Sequence, residues 1–416
     1  MTPDITVRPC TLADWPAFRE TMSSAFGGEM DAENCASWEP FLEFDEGRML
    51  AAVDTSGPAE QIVGTTGWLD MSMTVPGAQL PVAAVTMVTV RPTHRRRGIL
   101  GQLMRQQMAD ARAQGYAVAI LWASESVIYQ RFGYGLAFNR NRIDVDAHRV
   151  AFLNDPGPVG QVRMVTQDEA LELLPPLYEH IRKTLPASLG RSRRWWELRT
   201  LADTPRARHG GGPVRTIVLT IDGKLEGYAT YNVYTSWGPD GLPNGWLDVL
   251  EALGTTPAAT REIWRYLFNV DLVTRVKTFR LCDEHPLTLQ LANPRQLRTS
   301  VGDGTWVRLV DVGPALEARR YLSTDTLTFQ LTDSFCPWNE GVWTLDAGPD
   351  GASMRRSDAS SELRLSSTDL AAMYLGTVKA TRLLHAGRLD ELTPGAAHRA
   401  DALFSWRTPP WCLDDF

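Results

Sequence analysis

Residues 85–104 read VTMVTVRPTHRRRGILGQLM, and the period of their hydrophobicity changes midway. PVAAVTMVTV (81–90) is an apolar, β-branched run suited to a strand; after Pro92, GILGQLMRQQMADARAQ (98–114) has helical spacing and ends at Gly115. YAVAILWAS (116–124) is then a continuous apolar strand. This strand–loop–helix–strand unit sets consecutive backbone N–H groups between Arg95 and Gly101 at a helix N-terminus, whose dipole favours an anion. Gly98 and Gly101 let a ligand approach the backbone, and Arg95, Arg96 and Arg97 add positive charge. The pattern suits a pyrophosphate. It is neither a Walker A loop, which ends Gly-Lys-Ser/Thr, nor GxGxxG, so nucleoside triphosphates and dinucleotides are disfavoured.

Working outward, ITVRPC (5–10) alternates like a strand, and Leu12, Trp15, Phe18, Met22 and Phe26 recur at helical intervals. GRMLAAVD (47–54) and IVGTTGWLDMSMTV (62–75) predict an antiparallel meander leading into the 81–90 strand. From about residue 161 the same order begins again: QVRMV and an amphipathic helix, a hairpin around Asp222-Gly223, the strand GWLDVLEALGTT, a helix over 259–270 and the strand VKTFRLC (276–282). No Arg/Gly-rich loop precedes that second helix, which reads as a duplicated fold without its ligand loop. From about residue 305, TLTFQLTDSF, GVWTLDA and SELRLSS alternate with period two beside two helical segments, predicting a small α+β sheet. The tail RTPPWCLDDF belongs to no periodic element, and on its own reads as a frayed end.

The 416 residues are 44% hydrophobic and 22% charged, which fits a folded chain of several domains rather than a disordered or coiled-coil one. Subtracting 49 acidic from 42 basic residues leaves −7, so no global positive field gathers nucleic acid, and a cationic partner is favoured. Five scattered cysteines (Cys10, Cys35, Cys282, Cys336, Cys412) show neither disulfide nor zinc spacing, and the histidines, including His94, show no metal spacing. No metal is expected. Neither an export signal nor the ~18-residue apolar run of a membrane helix is read, which makes a reducing cytoplasm the expected location.

Arg96, Arg97, Gly98, Ile99, Leu100 and Gly101 follow RRxGxG-like spacing between a strand and a helix, which resembles the acyl-coenzyme-A loop of the GNAT superfamily of N-acetyltransferases. The resemblance implies acetyl-CoA as cosubstrate, Val88, Thr89 and Val90 as strand contacts for its pantetheine arm, and Ser124 and Glu125 at the end of the neighbouring strand. Tyr129, in SESVIYQRFGYG (124–135), takes the place of the acid that protonates the departing thiolate; Tyr134 is its rival, and both have a competing reading as core aromatics. An ordinary phenol pKa of ~10 would suit that exchange with a thiolate of similar basicity.

THRRRGIL, ASESVIYQRFGYG, PALEARRY (314–321) and a terminal phenylalanine are similar to the Eis (enhanced intracellular survival) aminoglycoside acetyltransferases over essentially the whole chain. That implies a mixed α/β, α+β protein of two tandem GNAT-like domains, 1–155 (catalytic) and 156–304 (degenerate), and a sterol-carrier-like domain, 305–416. It further implies a homohexamer, acetylation of several amines on one aminoglycoside, and the Phe416 α-carboxylate as general base. Asp415, with Asp414, would hold the polycationic substrate, and Phe26, Trp38, Met87 and Trp196 would wall it, although aromatics at such spacing also suit a core. The chain departs from the family at Met87, which replaces an aromatic, and beside Phe26, where the acidic residue appears as Gly27 or is displaced to Glu29. The competing functions are acetylation of lysine side chains or other polyamines, and binding of a lipid or other hydrophobic ligand on a GNAT scaffold.

Overall fold

The chain begins as a meander. Strands β1 (Ile5–Pro9), β2 (Met49–Asp54), β3 (Gln61–Val75) and β4 (Ala78–Val90) pair antiparallel in sequence order. Helices α1 (Trp15–Phe26) and α2 (Ala32–Trp38) lie between β1 and β2, and α3 (Ile99–Ala113) follows β4. The structure, a computed structural model, describes residues 4–28 and 32–416; Glu29 lies outside the described residues. α3 buries Ile99, Leu103, Met104, Met108 and Ala111, one face of a 3.6-residue repeat. At ~1.5–3 kcal/mol for each large apolar side chain, this face outweighs the modest helix propensity of the sequence. A β-carbon on Gly64 of β3 would stand 3.0 Å from Ile99 Cγ2, so the bare backbone there lets the start of α3 close on the sheet.

β5 (Val118–Leu121) returns parallel to β4, and α4 (Ser126–Tyr129) and β6 (Gly135–Leu136) follow. The sheet order is β1-β2-β3-β4-β5, then the strand Trp306–Leu309, then β6. The second sheet has the same plan: β8 (Gln161–Val165), β9 (Arg215–Ile221), β10 (Lys224–Tyr234) and β11 (Gly245–Gly254) form the meander, and β12 (Val273–Cys282) runs parallel to β11. β7 (Asn139–Asp146) and β13 (Ser300–Asp303) complete it beyond β12. The Asp222-Gly223 turn between β9 and β10 has φ of 49° and 79°, as its residue types predict.

The strands that finish the two sheets are exchanged along the sequence. β7, which follows the first repeat, belongs to the second sheet; Trp306–Leu309, which follows the second repeat, belongs to the first. The chain therefore divides into one unit of residues 1–138, 305–407 and 415–416 and another of 139–304 and 408–414. The boundaries expected at 155/156 and 304/305 follow the order of the repeats along the sequence, whereas these compact units follow the sheets. Both closing strands carry ordinary strand patterns, and nothing local to a strand names its partner.

The first unit also contains a five-stranded sheet in the order Gly351–Arg356, Gly341–Gly348, Asp325–Thr332, Leu363–Ser366, Leu389–Glu391, with helices Ser367–Met373 and Ala396–Phe404. In the second unit, α5 (Gln167–Arg182) starts at a Thr166/Glu169 capping box, α6 (Arg193–Trp195) follows it, and α7 (Pro257–Phe268) is capped by Thr256.

The segment 408–414 is ordered within the second unit, which corrects the frayed reading of the tail. Trp411 donates its backbone N–H to Pro186 O at 2.8 Å and its indole N–H to Arg280 O at 2.8 Å. Asp414 accepts from Arg191 Nε (2.8 Å) and Trp195 Nε1 (2.9 Å). Arg191 also pairs with Glu251, and its side chain is 1% exposed. Burial opposes its charge, but Asp414 and Glu251 more than offset that and hold its pKa well above the usual arginine value. Removing one partner would strand a buried charge at a cost of ~3–5 kcal/mol, so this cluster fixes the tail two residues before its end.

His285, 5% exposed, accepts the Leu287 N–H on Nδ1 at 3.1 Å and lies edge-on to Trp264 and Trp411. Burial pushes its pKa down to about 3. The folded state therefore refuses a proton that the unfolded chain accepts near pH ~6.5, and stability falls as pH drops below that value. Urea unfolding should show a loss of about 1.3 kcal/mol between pH 7 and 5.5, above the range where most carboxylates titrate. His285→Gln, which retains an acceptor, should remove most of this slope; an unchanged slope would contradict the assignment.

Candidate active site

β4 and β5 pair only over Val82↔Val118, Ala83↔Ala119 and Ala84↔Ile120. Beyond Ala84 the register with β3 also shifts: Gly67 faces Thr86 and Thr65 faces Thr89, leaving Met87 and Val88 as a bulge. Met87 has φ 57°, costly for a non-glycine residue, and Thr65 Oγ1 fixes the distortion by donating to Met87 O at 2.7 Å. The edge of β4 from Val85 to Val90 thus leaves its parallel neighbour and opens a gap in the sheet. Thr89 is buried, whereas Val88 and Val90 are half-buried along this edge.

At the end of β4 the chain turns through a short helical segment, Pro92–His94, into α3. Arg96 (φ 65°) and Gly98 (φ 77°) adopt left-handed conformations, and Gly98 occupies the cap of α3 without a side-chain hydrogen bond. The first helical bond runs from Gln102 N–H to Gly98 O at 3.2 Å, so the N–H groups of Ile99, Leu100 and Gly101 precede the ladder. A β-carbon on Gly98 would meet nothing within 4 Å, and one on Gly101 only Arg105 Nη1 at 3.9 Å, so both glycines leave open space above these amides. Arg95, Arg96 and Arg97 are exposed beside them, and Arg95 Nη2 donates to Ala25 O at 3.2 Å, next to Phe26. Donors, charge and space fit a pyrophosphate. In the second unit Thr256 accepts the Ala259 N–H and closes the equivalent helix start.

Ser124 and Glu125 are exposed beyond β5, and Glu125 caps α4, whose last residue is Tyr129. Tyr129 is 5% exposed and packs edge-on to Tyr134, with ring centroids 5.9 Å apart. Burial, aided by Glu125, pushes the Tyr129 pKa up to about 12, above the ordinary phenol value. Tyr134 is fully buried and is driven higher still. Tyr129 is therefore the more accessible of the two phenols, and it stays protonated at neutral pH.

Family models for a GNAT acetyltransferase domain match residues 6–137 and 187–309, and one for a sterol carrier protein domain matches 312–413. An uncharacterised N-acetyltransferase of Streptomyces coelicolor is 38% identical over 97% of each chain. N-acetyltransferase Eis of Mycobacterium tuberculosis is 31% identical over 97% of this chain and 98% of that protein. The chain belongs to the Eis family of GNAT N-acetyltransferases. Eis1 from Mycobacterium abscessus superposes with a TM-score of 0.83 at 30% identity, over 99% of this chain and 100% of that one. A GCN5-related N-acetyltransferase from Anabaena variabilis has the same TM-score of 0.83 at 18% identity, which shows the shared fold. The protein is thus an N-acetyltransferase, and enzymes of the GNAT type use acetyl-CoA.

Measured against the Eis pattern, Tyr129, the loop from Arg95 to Gly101 and the terminal pair Asp415–Phe416 all fall in the first unit. Asp415 and Phe416 are half-buried. Phe26 is 59% exposed at the end of α1, Trp38 is half-buried at the end of α2, and Met87 is 6% exposed in the bulge. Trp196 belongs to the second unit, 1% exposed, with Tyr178 edge-on and Arg191 over its ring, which supports its reading as a core residue. Asp414 is likewise no free carboxylate for substrate, because Arg191 and Trp195 already occupy it. Sequence reading missed Arg191 and Arg308; the latter's signal was a charged residue inside the short apolar strand WVRL. Among the described residues no His/Cys/Asp/Glu group could hold a metal ion, all five cysteines are buried and none is in a disulfide, and no helix is long and apolar enough to cross a membrane.

Because Arg96 and Arg97 are exposed, Arg96→Ala/Arg97→Ala should leave the melting temperature unchanged. Calorimetry should show acetyl-CoA binding weakened by about tenfold per arginine at low salt, with the deficit shrinking as salt screens the loop. Unaltered affinity would remove the loop from the binding site.

Proposed function

We propose that this Eis-family enzyme transfers the acetyl group of acetyl-CoA to amines of aminoglycosides, at more than one position, in its first unit. The observation that carries the reading is the uncapped start of α3 opening beside the edge of β4 that has left β5. When bound, acetyl-CoA supplies an activated acetyl thioester. The amides of Ile99, Leu100 and Gly101, with Arg95, Arg96 and Arg97, hold the pyrophosphate, and Gly98 permits its approach. Val88, Thr89 and Val90 offer backbone groups to the pantetheine arm, and Ser124 and Glu125 border its reactive end.

Tyr129 serves as the acid. With its pKa raised to about 12, it cannot pass a proton downhill to an alkyl thiolate of pKa ~8.5. It acts instead by donating a hydrogen bond that strengthens as negative charge grows on the departing sulfur, so the C–S bond breaks to a hydrogen-bonded thiolate that the proton released by the amine then neutralises. The Phe416 α-carboxylate serves as the base. A terminal carboxyl of pKa ~3.5 is weakly basic towards an ammonium group, so it works by hydrogen bonding the amine, directly or through water, as the proton leaves.

Asp415 adds negative charge for a polycation, and Phe26, Trp38 and Met87 are the apolar wall. A homohexamer in the cytoplasm completes the proposal on the strength of the family resemblance.

Untagged protein should release thiol from acetyl-CoA with aminoglycosides, and mass spectrometry should count more than one acetyl group per molecule. Turnover confined to lysine-rich peptides or simple polyamines would replace the acceptor, and acetyl-CoA binding without turnover on any amine would contradict the reading. Tyr129→Phe should lower kcat by about 10²-fold while leaving acetyl-CoA affinity nearly intact. Deleting Phe416 or extending the chain beyond it should also impair turnover; a fully active C-terminally tagged enzyme would exclude the terminal base.

A further inference from the structure

The second sheet parts as the first does. The ladder between β11 and β12 ends at Asp248↔Lys277, short of Gly254 and Cys282, where the two strands finish. Past that point both strands hold the segment Pro410–Asp414. On β12, Arg280 accepts the Trp411 indole N–H on its carbonyl and donates from Nη1 to Leu413 O at 2.9 Å, and the Cys282 thiol donates to Pro410 O at 3.8 Å. On β11, Glu251 accepts from Arg191 Nη1 and Nη2 and, at 2.7 Å, from the Tyr228 hydroxyl. Trp411 and Leu413 lie in one apolar cluster with Leu253 of β11 and Cys282 of β12.

Arg191 joins this frame to the tail, since the guanidinium that holds Glu251 also donates from Nε to Asp414. Trp195 donates to the same carboxylate, and the Tyr178 hydroxyl stands 3.3 Å from its other oxygen. Buried ions stabilise a fold no better than well-packed apolar side chains, so stability alone gives no reason for charges here. What they fix is position. Phe416 follows Asp414 by two residues, which span at most about 7 Å, so an anchored Asp414 confines the terminal carboxylate.

We propose that the second GNAT-like unit anchors the base of the reaction: its parted strands take Pro410–Asp414 at the place that corresponds to the pantetheine site proposed for the first sheet, and Arg191 and Asp414 are positioning residues for the Phe416 α-carboxylate. The inference rests on that carboxylate being the base. It accounts for a second sheet that keeps the parting of its strands while Thr256 closes the start of the following helix. The unit needs no ligand loop, because what it binds is the chain's own tail.

Two single-glycine insertions separate an anchored tail from a loose one. Between Arg407 and Thr408, at an exposed bend ahead of the anchor, the extra residue should be absorbed and kcat should stay within about twofold. Between Asp414 and Asp415, beyond the anchor, kcat should fall by about 10²-fold while the melting temperature and calorimetric acetyl-CoA affinity stay nearly the same. Asp414→Asn, which keeps the shape but not the charge, should lower kcat by about tenfold, and no further in a chain that lacks Phe416. If deleting Phe416 impairs turnover while the two insertions have equal effects, or if the effects of Asp414→Asn and the Phe416 deletion multiply, the anchor has no such role and the terminal base stands without it. Should Asp414→Asn fail to fold, the insertions alone decide. If the chain lacking Phe416 is fully active, the assignment of the base fails, and the inference with it.

Discussion

The parting of β4 from β5 after Ala84 is the constraint on which the rest of the first unit depends. Two parallel strands normally continue to satisfy one another; here the Met87 bulge bends β4 away, and Thr65 compensates for the distorted backbone. The segments proposed for the chemistry adjoin the two strands that part. The loop to α3 leaves the end of β4, and Tyr129 stands on the short helix after β5.

Around this gap, the sequence that follows the second repeat is part of the first repeat's structure. Trp306–Leu309 occupies the sheet position next to β5, and Arg308 reaches from it to the turn that carries Tyr129. The sterol-carrier-like part therefore packs on the turn that follows Tyr129 within the same unit. The tail follows a related logic: a buried Arg191–Asp414–Glu251 cluster fixes it just before the terminal residues. A buried ion cluster of this kind adds little net stability, but losing one partner is costly, which holds the segment 408–414 within the second unit.

Much of this was legible in the sequence. The change of period at Pro92, the glycines, the arginine run and the Asp222-Gly223 hairpin are local signals, and each produced the expected element. The exchange of β7 with Trp306–Leu309 was not legible, because strand pattern reveals which face is buried and not which sheet accepts the edge. The fate of Asp414 was hidden for a related reason: an aspartate in an aspartate-phenylalanine terminus reads as solvent-facing until Arg191, 223 residues earlier, is placed beside it. Tyr129 was singled out by its position, but its raised pKa depends on burial, which only the fold supplies.

Hydrogen–deuterium exchange with and without acetyl-CoA tests the central claim most directly. The account predicts new protection at the amides of Ile99, Leu100 and Gly101 and along Val88–Val90, with little change at the capped start of α7 in the second unit. Protection at α7 with none at α3 would place the cosubstrate elsewhere and contradict the account.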